Sequence, residues 1–224
     1  MIEVIPSLPA STFKELDEKI GRVRGLVSTF QIDITDGIFV PNISWPMHPE
    51  DQEQFQRIVL GDETLPHWED FDFELDMMVH NPENLLSDWI QAGICRALIH
   101  IEAKHNFGAC QVIAKDKIEL GIALNVDTPI SRIDEYIEHI SVVQLMGIAN
   151  LGKQGQPFDP RVLESIREVK KRYPNVIIEV DGAVNKDTAS LLVSAGATRL
   201  APGSFIFKSE NPKEVINYLE SLRV

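Results

Sequence analysis

The sequence predicts a single (β/α)8 barrel, with residues 1–224 forming one domain. Three observations point there. About eight short apolar runs alternate with amphipathic segments along the chain. Many of these runs are continuously apolar or β-branched, as strands covered on both faces must be. Acids and other polar residues collect where the runs end, and a barrel gathers such residues at one mouth. An open doubly wound sheet uses the same alternation and is the competing architecture.

Taken in order, the predicted strands cover 3–7, 30–35, 73–79, 97–102, 122–126, 142–148, 176–181 and 199–202. The segment Ser11-Thr12-Phe13-Lys14-Glu15-Leu16 opens the first helix with a capping signal. Asn81-Pro82-Glu83-Asn84-Leu85-Leu86 opens another, with proline near its first position. Asn185-Lys186-Asp187-Thr188-Ala189 starts a helix that Gly196 is placed to stop. Residues 45–74 form the longest irregular connection, rich in acids, proline and histidine, and read as a lid or an insertion on the rim.

Composition excludes some functions. The formal charge of −13 argues against a nucleic-acid partner, which requires a basic face. At 44% hydrophobic, the chain can fill one large core. Cys95 and Cys110 read as free thiols in a reducing compartment. The first residues, Met1-Ile2-Glu3-Val4-Ile5-Pro6, show no signal peptide, and no membrane span is visible. The expected location is the cytoplasm, with no membrane partner.

The polar residues at the strand ends are Ser7, Asp33, Asp36, Asp76, His100, Glu102, Asn125 and Asp181, with Met146 beside them. Asp33 sits inside its strand, where a helix-capping role is weak. Asp36 suits a turn as well as it suits catalysis. On two strands of one barrel, Asp33 and Asp181 can face each other across the mouth and move a proton from one face of a carbon to the other. Gly182, Gly203 and Ser204 precede helical segments, where backbone N–H groups can meet a phosphate. Lys153 could also reach a phosphate, although a solvated lysine is the simpler reading.

These segments, in this order, resemble the ribulose-phosphate 3-epimerase family, metal-dependent barrel enzymes of the pentose phosphate pathway. The most specific match is Ile32-Asp33-Ile34-Thr35-Asp36-Gly37-Ile38-Phe39-Val40-Pro41-Asn42. Pro6-Ser7-Leu8 resembles the opening strand, whose serine meets substrate. Met77-Met78-Val79 with Asn81-Pro82 resembles the third strand, and His100-Ile101-Glu102-Ala103 the fourth. Gly152-Lys153-Gln154-Gly155-Gln156-Pro157-Phe158 is similar to the sixth loop that closes over substrate, which makes Gly152, Gly155 and Gln156 candidate contacts. Val180-Asp181-Gly182 and Gly203-Ser204-Phe205-Ile206-Phe207 resemble the last two strand ends. The resemblance implies a barrel of the ribulose-phosphate-binding type, a phosphorylated ketose as substrate, and a homo-oligomer.

Departures fall on the metal site. The family holds a divalent ion with two histidines and two aspartates. Here the histidine positions carry Gln31 and Asp76, while the aspartates remain as Asp33 and Asp181. The implied ligand set is Gln31, Asp33, Asp76 and Asp181. One amide oxygen and three carboxylates suit Mg2+, Mn2+ or Ca2+ better than Zn2+ or iron. Three carboxylates together need a cation or a proton, and a decayed, metal-free site is the alternative. The sixth loop also departs: Gly152-Lys153-Gln154 replaces a glycine–phenylalanine–glycine run, and Ala183 follows Gly182 where a second glycine is usual.

The expected reaction converts D-ribulose 5-phosphate to D-xylulose 5-phosphate. Asp33 removes the C3 proton, and Asp181 protonates the other face of a 2,3-enediolate. Met78 and Met146 would wall the planar intermediate. An epimerase for a hexulose 6-phosphate and a non-catalytic sugar-phosphate binder are the alternatives. A related decarboxylase needs lysine where Met78 stands, and a Schiff-base aldolase would have only Lys104 to use.

Overall fold

The computed structural model describes residues 2–152 and 155–223. All strand pairings in its sheet are parallel. The strands are β1 (Glu3–Val4), β2 (Ser7–Leu8), β3 (Thr29–Thr35), β4 (Asp72–Met78), β5 (Ile94–His100), β6 (Glu119–Leu124), β7 (Val142–Met146), β8 (Ile177–Asp181) and β9 (Arg199–Ala201). From β2 to β9 each strand pairs with its successor, and β1 pairs with β9. The predicted run 3–7 is therefore one barrel strand in two pieces, interrupted at Ile5–Pro6 because proline cannot donate to a ladder. The interruption does not open the barrel. Ile5 N–H donates to Leu200 O at 2.9 Å on one side, and Gln31 N–H donates to Pro6 O at 2.9 Å on the other. This ring of eight staves is a TIM barrel.

The helices are α1 (Phe13–Val23), α2 (Gln52–Leu60), α3 (Leu86–Ala92), α4 (Phe107–Ala114), α5 (Val162–Arg172), α6 (Ala189–Ala195), α7 (Ser204–Phe207) and α8 (Pro212–Ser221). The Thr12 hydroxyl caps α1 by accepting from Glu15 N–H at 3.1 Å, as the sequence signal requires. Gly196 ends α6. The Asn81-Pro82 signal opens a 3-10 turn at Pro82–Asn84, and α3 follows it. Between β6 and β7 the crossover contains 3-10 turns at Ile130–Glu135 and Ile137–His139.

The connection expected to be irregular over 45–74 is ordered instead. It contains α2, whose Phe55 and Ile58 are buried, and the start of β4. Its polar residues mask a short amphipathic pattern. Trp45 pins this segment to its neighbours, with ring centroids 5.2 Å from Phe13, 5.8 Å from Phe55 and 5.9 Å from Trp89. Cys95 and Cys110 are free thiols. No helix among the described residues is long and apolar enough to cross a membrane.

Candidate active site

Side-chain alternation along a strand sends every second residue into the barrel. On β3 these residues are Gln31, Asp33 and Thr35; on β4 they are Glu74, Asp76 and Met78. The strands pair Asp33 with Asp76 and Gln31 with Glu74. On β8 the same parity gives Glu179 and Asp181. The result is two polar layers, one lying deep in the barrel and one at its mouth.

The mouth layer brings three carboxylates together. One oxygen each of Asp33, Asp76 and Asp181 lies within 4.8 Å of the others. Asp33 and Asp76 are buried, and Asp181 is half-buried. Burial and the charges of Asp181 and Asp76 push the Asp33 carboxyl well above the usual carboxylate range. Burial and Asp76 push Asp181 up to about 7, even though Gly182 N–H donates to it at 2.7 Å and Ser7 Oγ at 3.2 Å.

Asp76 occupies an unusual position. Both its oxygens are buried without a hydrogen-bond partner. His100 Nε2 lies 3.1 Å from one of them, and His100 Nδ1 lies 3.7 Å from Glu102. Burial alone would lower the imidazole pKa, but Asp76 and Glu102 outweigh it and hold it at about 9. Glu102 in turn accepts from Asn125 N–H at 2.8 Å and from the Thr128 hydroxyl.

Gln31 does not present a free oxygen to the carboxylates. Its Nε2 donates to Asp33 Oδ1 at 2.7 Å, and its Oε1 accepts from Gln144 Nε2 at 3.2 Å. The expected oxygen ligand Gln31 instead turns the nitrogen end of its amide to Asp33, whose carboxylate oxygen accepts. Asp36 is a loop clasp. It accepts from Ile38, Phe39 and His80 N–H groups, each at 2.8 Å.

The remaining candidates share a cleft. Its cavity volume is about 60 Å3, and Asp33 and Asp181 open into it. Ser7, Met78 and Met146 line it, together with Gly152, Gly155 and Gln156 of the sixth loop and with Gly182, Gly203 and Ser204. Met78 and Met146 belong to a small apolar cluster with Val40, Ile148 and Leu151, separate from the main core. Lys153 and Gln154 lie outside the described residues.

Sequence reasoning named Gln31 but missed the rest of the deep layer. Arg96 Nη1 is 2.5 Å from Glu74 Oε2 and Arg96 Nε is 3.0 Å from Glu119 Oε2, while Arg199 Nε meets Glu3 Oε2 at 2.5 Å. Glu179 is buried among these groups, and burial and Glu74 raise its carboxyl well above the usual range. The available signal was a polar residue recurring two places before each strand-end acid: Gln31 before Asp33, Glu74 before Asp76, Glu179 before Asp181. Gln144 carries the same signal on β7, two places before Met146.

A family model described as "Ribulose-phosphate 3 epimerase family" matches residues 3–207. The chain belongs to that family. It is 32% identical over 224 residues to a ribulose-phosphate 3-epimerase of Bacillus subtilis (strain 168), covering 97% of each chain. It is 31% identical to one of Helicobacter pylori (strain J99), covering 99% of this chain and 98% of that one. Among solved structures, a KGPDC from Streptococcus mutans superposes with a TM-score of 0.70 at 13% identity, over 98% of this chain and 95% of that chain. A 3-hexulose-6-phosphate synthase from Salmonella typhimurium gives 0.69 at 12%, over 97% and 96%. At those identities the likeness concerns the barrel alone.

Proposed function

We propose that this chain epimerises a ketopentose phosphate at C3, interconverting D-ribulose 5-phosphate and D-xylulose 5-phosphate. The observation that carries the reading is that Asp33 and Asp181 open into one cleft with their carboxylates close together. Family membership supports the choice of substrate.

In one direction, ionised Asp33 accepts the proton from C3. The C–H electron pair becomes the C2–C3 double bond, and the ketone oxygen takes the negative charge. Protonated Asp181 then delivers its proton to the opposite face of C3, and the ketone re-forms. The roles exchange in reverse. Both carboxyls are raised, and Asp181, pushed up to about 7, can hold or release a proton at working pH. Met78 and Met146 exclude water beside the flat intermediate. Gly182, Gly203 and Ser204 receive the phosphate through backbone N–H groups and a hydroxyl. Gly152, Gly155 and Gln156 cover the sugar from the sixth loop, and Ser7 steadies Asp181.

The carboxylates fit a divalent cation. Asp76 is buried with neither oxygen hydrogen-bonded and with His100 Nε2 3.1 Å from one of them, and the candidate ligand atoms are all oxygen. Asp33, Asp76 and Asp181 would hold Mg2+ or Mn2+ in preference to Zn2+ or iron. Bound there, the ion would supply electrostatic stabilisation of the enediolate charge.

Incubation with ribulose 5-phosphate and Mn2+ in D2O tests the reading. Deuterium is expected at C3 of both epimers. Asp33→Asn and Asp181→Asn should each slow turnover at least about a hundredfold, the scale of a lost acid or base. Near-normal turnover in either variant, or no C3 exchange in the parent protein, removes this reading in favour of a sugar-phosphate binder.

A further inference from the structure

We infer that Gln31 and Gln144 form an amide clamp that positions Asp33 for proton transfer, with Gln31 acting as a positioning residue and not as a metal ligand. The inference rests on the epimerase reading for its kinetic consequences, but the clamp itself rests on geometry.

Both glutamines are fully buried, each with 0% of its surface exposed. Gln144 is the one polar residue of β7, flanked by Val142, Val143, Leu145 and Met146. Burying an amide in such a strand is costly unless it is hydrogen-bonded. Its Nε2 donates to Gln31 Oε1 at 3.2 Å, across the barrel on β3. With Gln144 so oriented, its own Oε1 buried without a hydrogen-bond partner, that bond sets which end of the Gln31 amide faces Asp33. The nitrogen then donates to Asp33 Oδ1 at 2.7 Å.

The consequence is an asymmetric carboxylate. Asp33 Oδ1 is held from below by an N–H donor, so Oδ2 is the oxygen left for a substrate proton or a cation. Rotation of Asp33 about its terminal bond would break the Gln31 bond. A ligand oxygen from Gln31 would require turning its amide over. That would set an oxygen against Asp33 and face the Gln31 and Gln144 NH2 groups toward each other. With Gln144 in its present orientation the two roles are exclusive.

Gln144 touches neither substrate nor ion in this scheme and acts only through Gln31. Three variants read this dependence: Gln144→Leu, Gln144→Glu and Gln31→Leu, with the Gln31→Leu/Gln144→Leu double variant. Gln144→Leu should lower kcat and C3 exchange about tenfold, the usual cost of removing a partner behind a functional group, with KM within about twofold of the parent. The double variant should be no slower than Gln31→Leu alone. Gln144→Glu keeps the shape and replaces the donor by an acceptor, so it should turn the Gln31 amide over and lower kcat at least as far. Mn2+ affinity, read by electron paramagnetic resonance, should move together in Gln31→Leu and Gln144→Leu.

A second readout needs no turnover. In 15N spectra the Gln31 side-chain N–H bonded to Asp33 should be protected from solvent exchange in the parent and lose that protection in Gln144→Glu. Unchanged kcat in both Gln144 variants, additive losses in the double variant, or Mn2+ affinity lost in Gln31→Leu alone would each overturn the clamp. An unprotected Gln31 amide in the parent also overturns it, even if the parent proves inactive. If the parent shows a protected amide but no C3 exchange, the clamp stands and the epimerase reading fails.

Discussion

The side chains at the barrel mouth differ in how visible they are from sequence. Asp33 and Asp181 are legible because one lies inside an otherwise largely apolar run and the other ends one, where helix capping does not account for a buried acid. Asp76 is legible only by resemblance, as the replacement of a ligand histidine. What no linear pattern could show is that His100 stands behind Asp76, because that contact depends on the register between β4 and β5. The same holds for Gln144, whose partner is 113 residues away. His100 is expected to contribute to stability. Among the described residues it is the cation within 4 Å of Asp76 and Glu102, and both its own side chain and that of Asp76 are fully buried. His100→Leu strips Asp76 of that charge without admitting water. Breaking a buried pair in this way costs about 3–5 kcal/mol. A urea midpoint for His100→Leu equal to that of the parent protein, measured without metal, would show that the imidazole carries no such charge.

Elements set the distance between the two acids. The ends of β7 and β8 are drawn together where Gly147 N–H donates to Asp181 O at 2.6 Å. A Cβ on Gly147 would overlap the Gly182 carbonyl oxygen, and its next nearest contacts would also be β8 backbone. Backbone cannot swing aside as a side chain can, so Gly147→Ala must separate the two strand ends. Overpacking of this kind costs about 1–3 kcal/mol, read as a lowered urea midpoint. The displaced end carries Asp181 and Gly182, so kcat should fall as well. Stability and kcat equal to the parent's would mean that the close approach is not needed. At this scale the sequence was a partial guide. Capping at Thr12 and the stop at Gly196 were readable because each is a local, residue-specific device. Strand limits were less readable: β5 begins at Ile94, three residues before the predicted start, because the polar Arg96 is buried by an ion pair with Glu74 that only the closed barrel supplies. Helix α2 was missed because nine residues are too few to show a clear period among acids and amides.

For the molecule as a whole, the alternation of apolar runs was enough to foresee a barrel, because parallel strands joined by helices leave few closed arrangements. The sequence could not show how many charges that barrel would enclose, and those charges govern its response to pH. Asp33 and Asp181 both have raised pKa values in the folded chain, and His100 is held at about 9. A group whose folded pKa is raised binds its proton more tightly when folded. The stability it contributes is complete below its unfolded pKa and disappears as pH climbs through the folded value. For Asp181 that window runs from the ordinary aspartate range up to about 7, and for His100 from the ordinary histidine range up to about 9. All three act in the same direction, so the chelator-treated protein should lose thermal stability between about pH 5 and pH 9. A divalent cation among Asp33, Asp76 and Asp181 takes over the work of the protons, and it binds better as they leave. The gap in melting temperature between Mn2+-loaded and EDTA-treated protein should therefore widen from about pH 5 to pH 8. At a hundredfold excess over Kd, binding adds about 2.7 kcal/mol, or about 5–10 °C for a chain of this length. A gap that stays constant across that range would mean the carboxylates do not bind the ion, and a gap that narrows would mean they lose charge as the pH rises, against the ordinary chemistry of an acid.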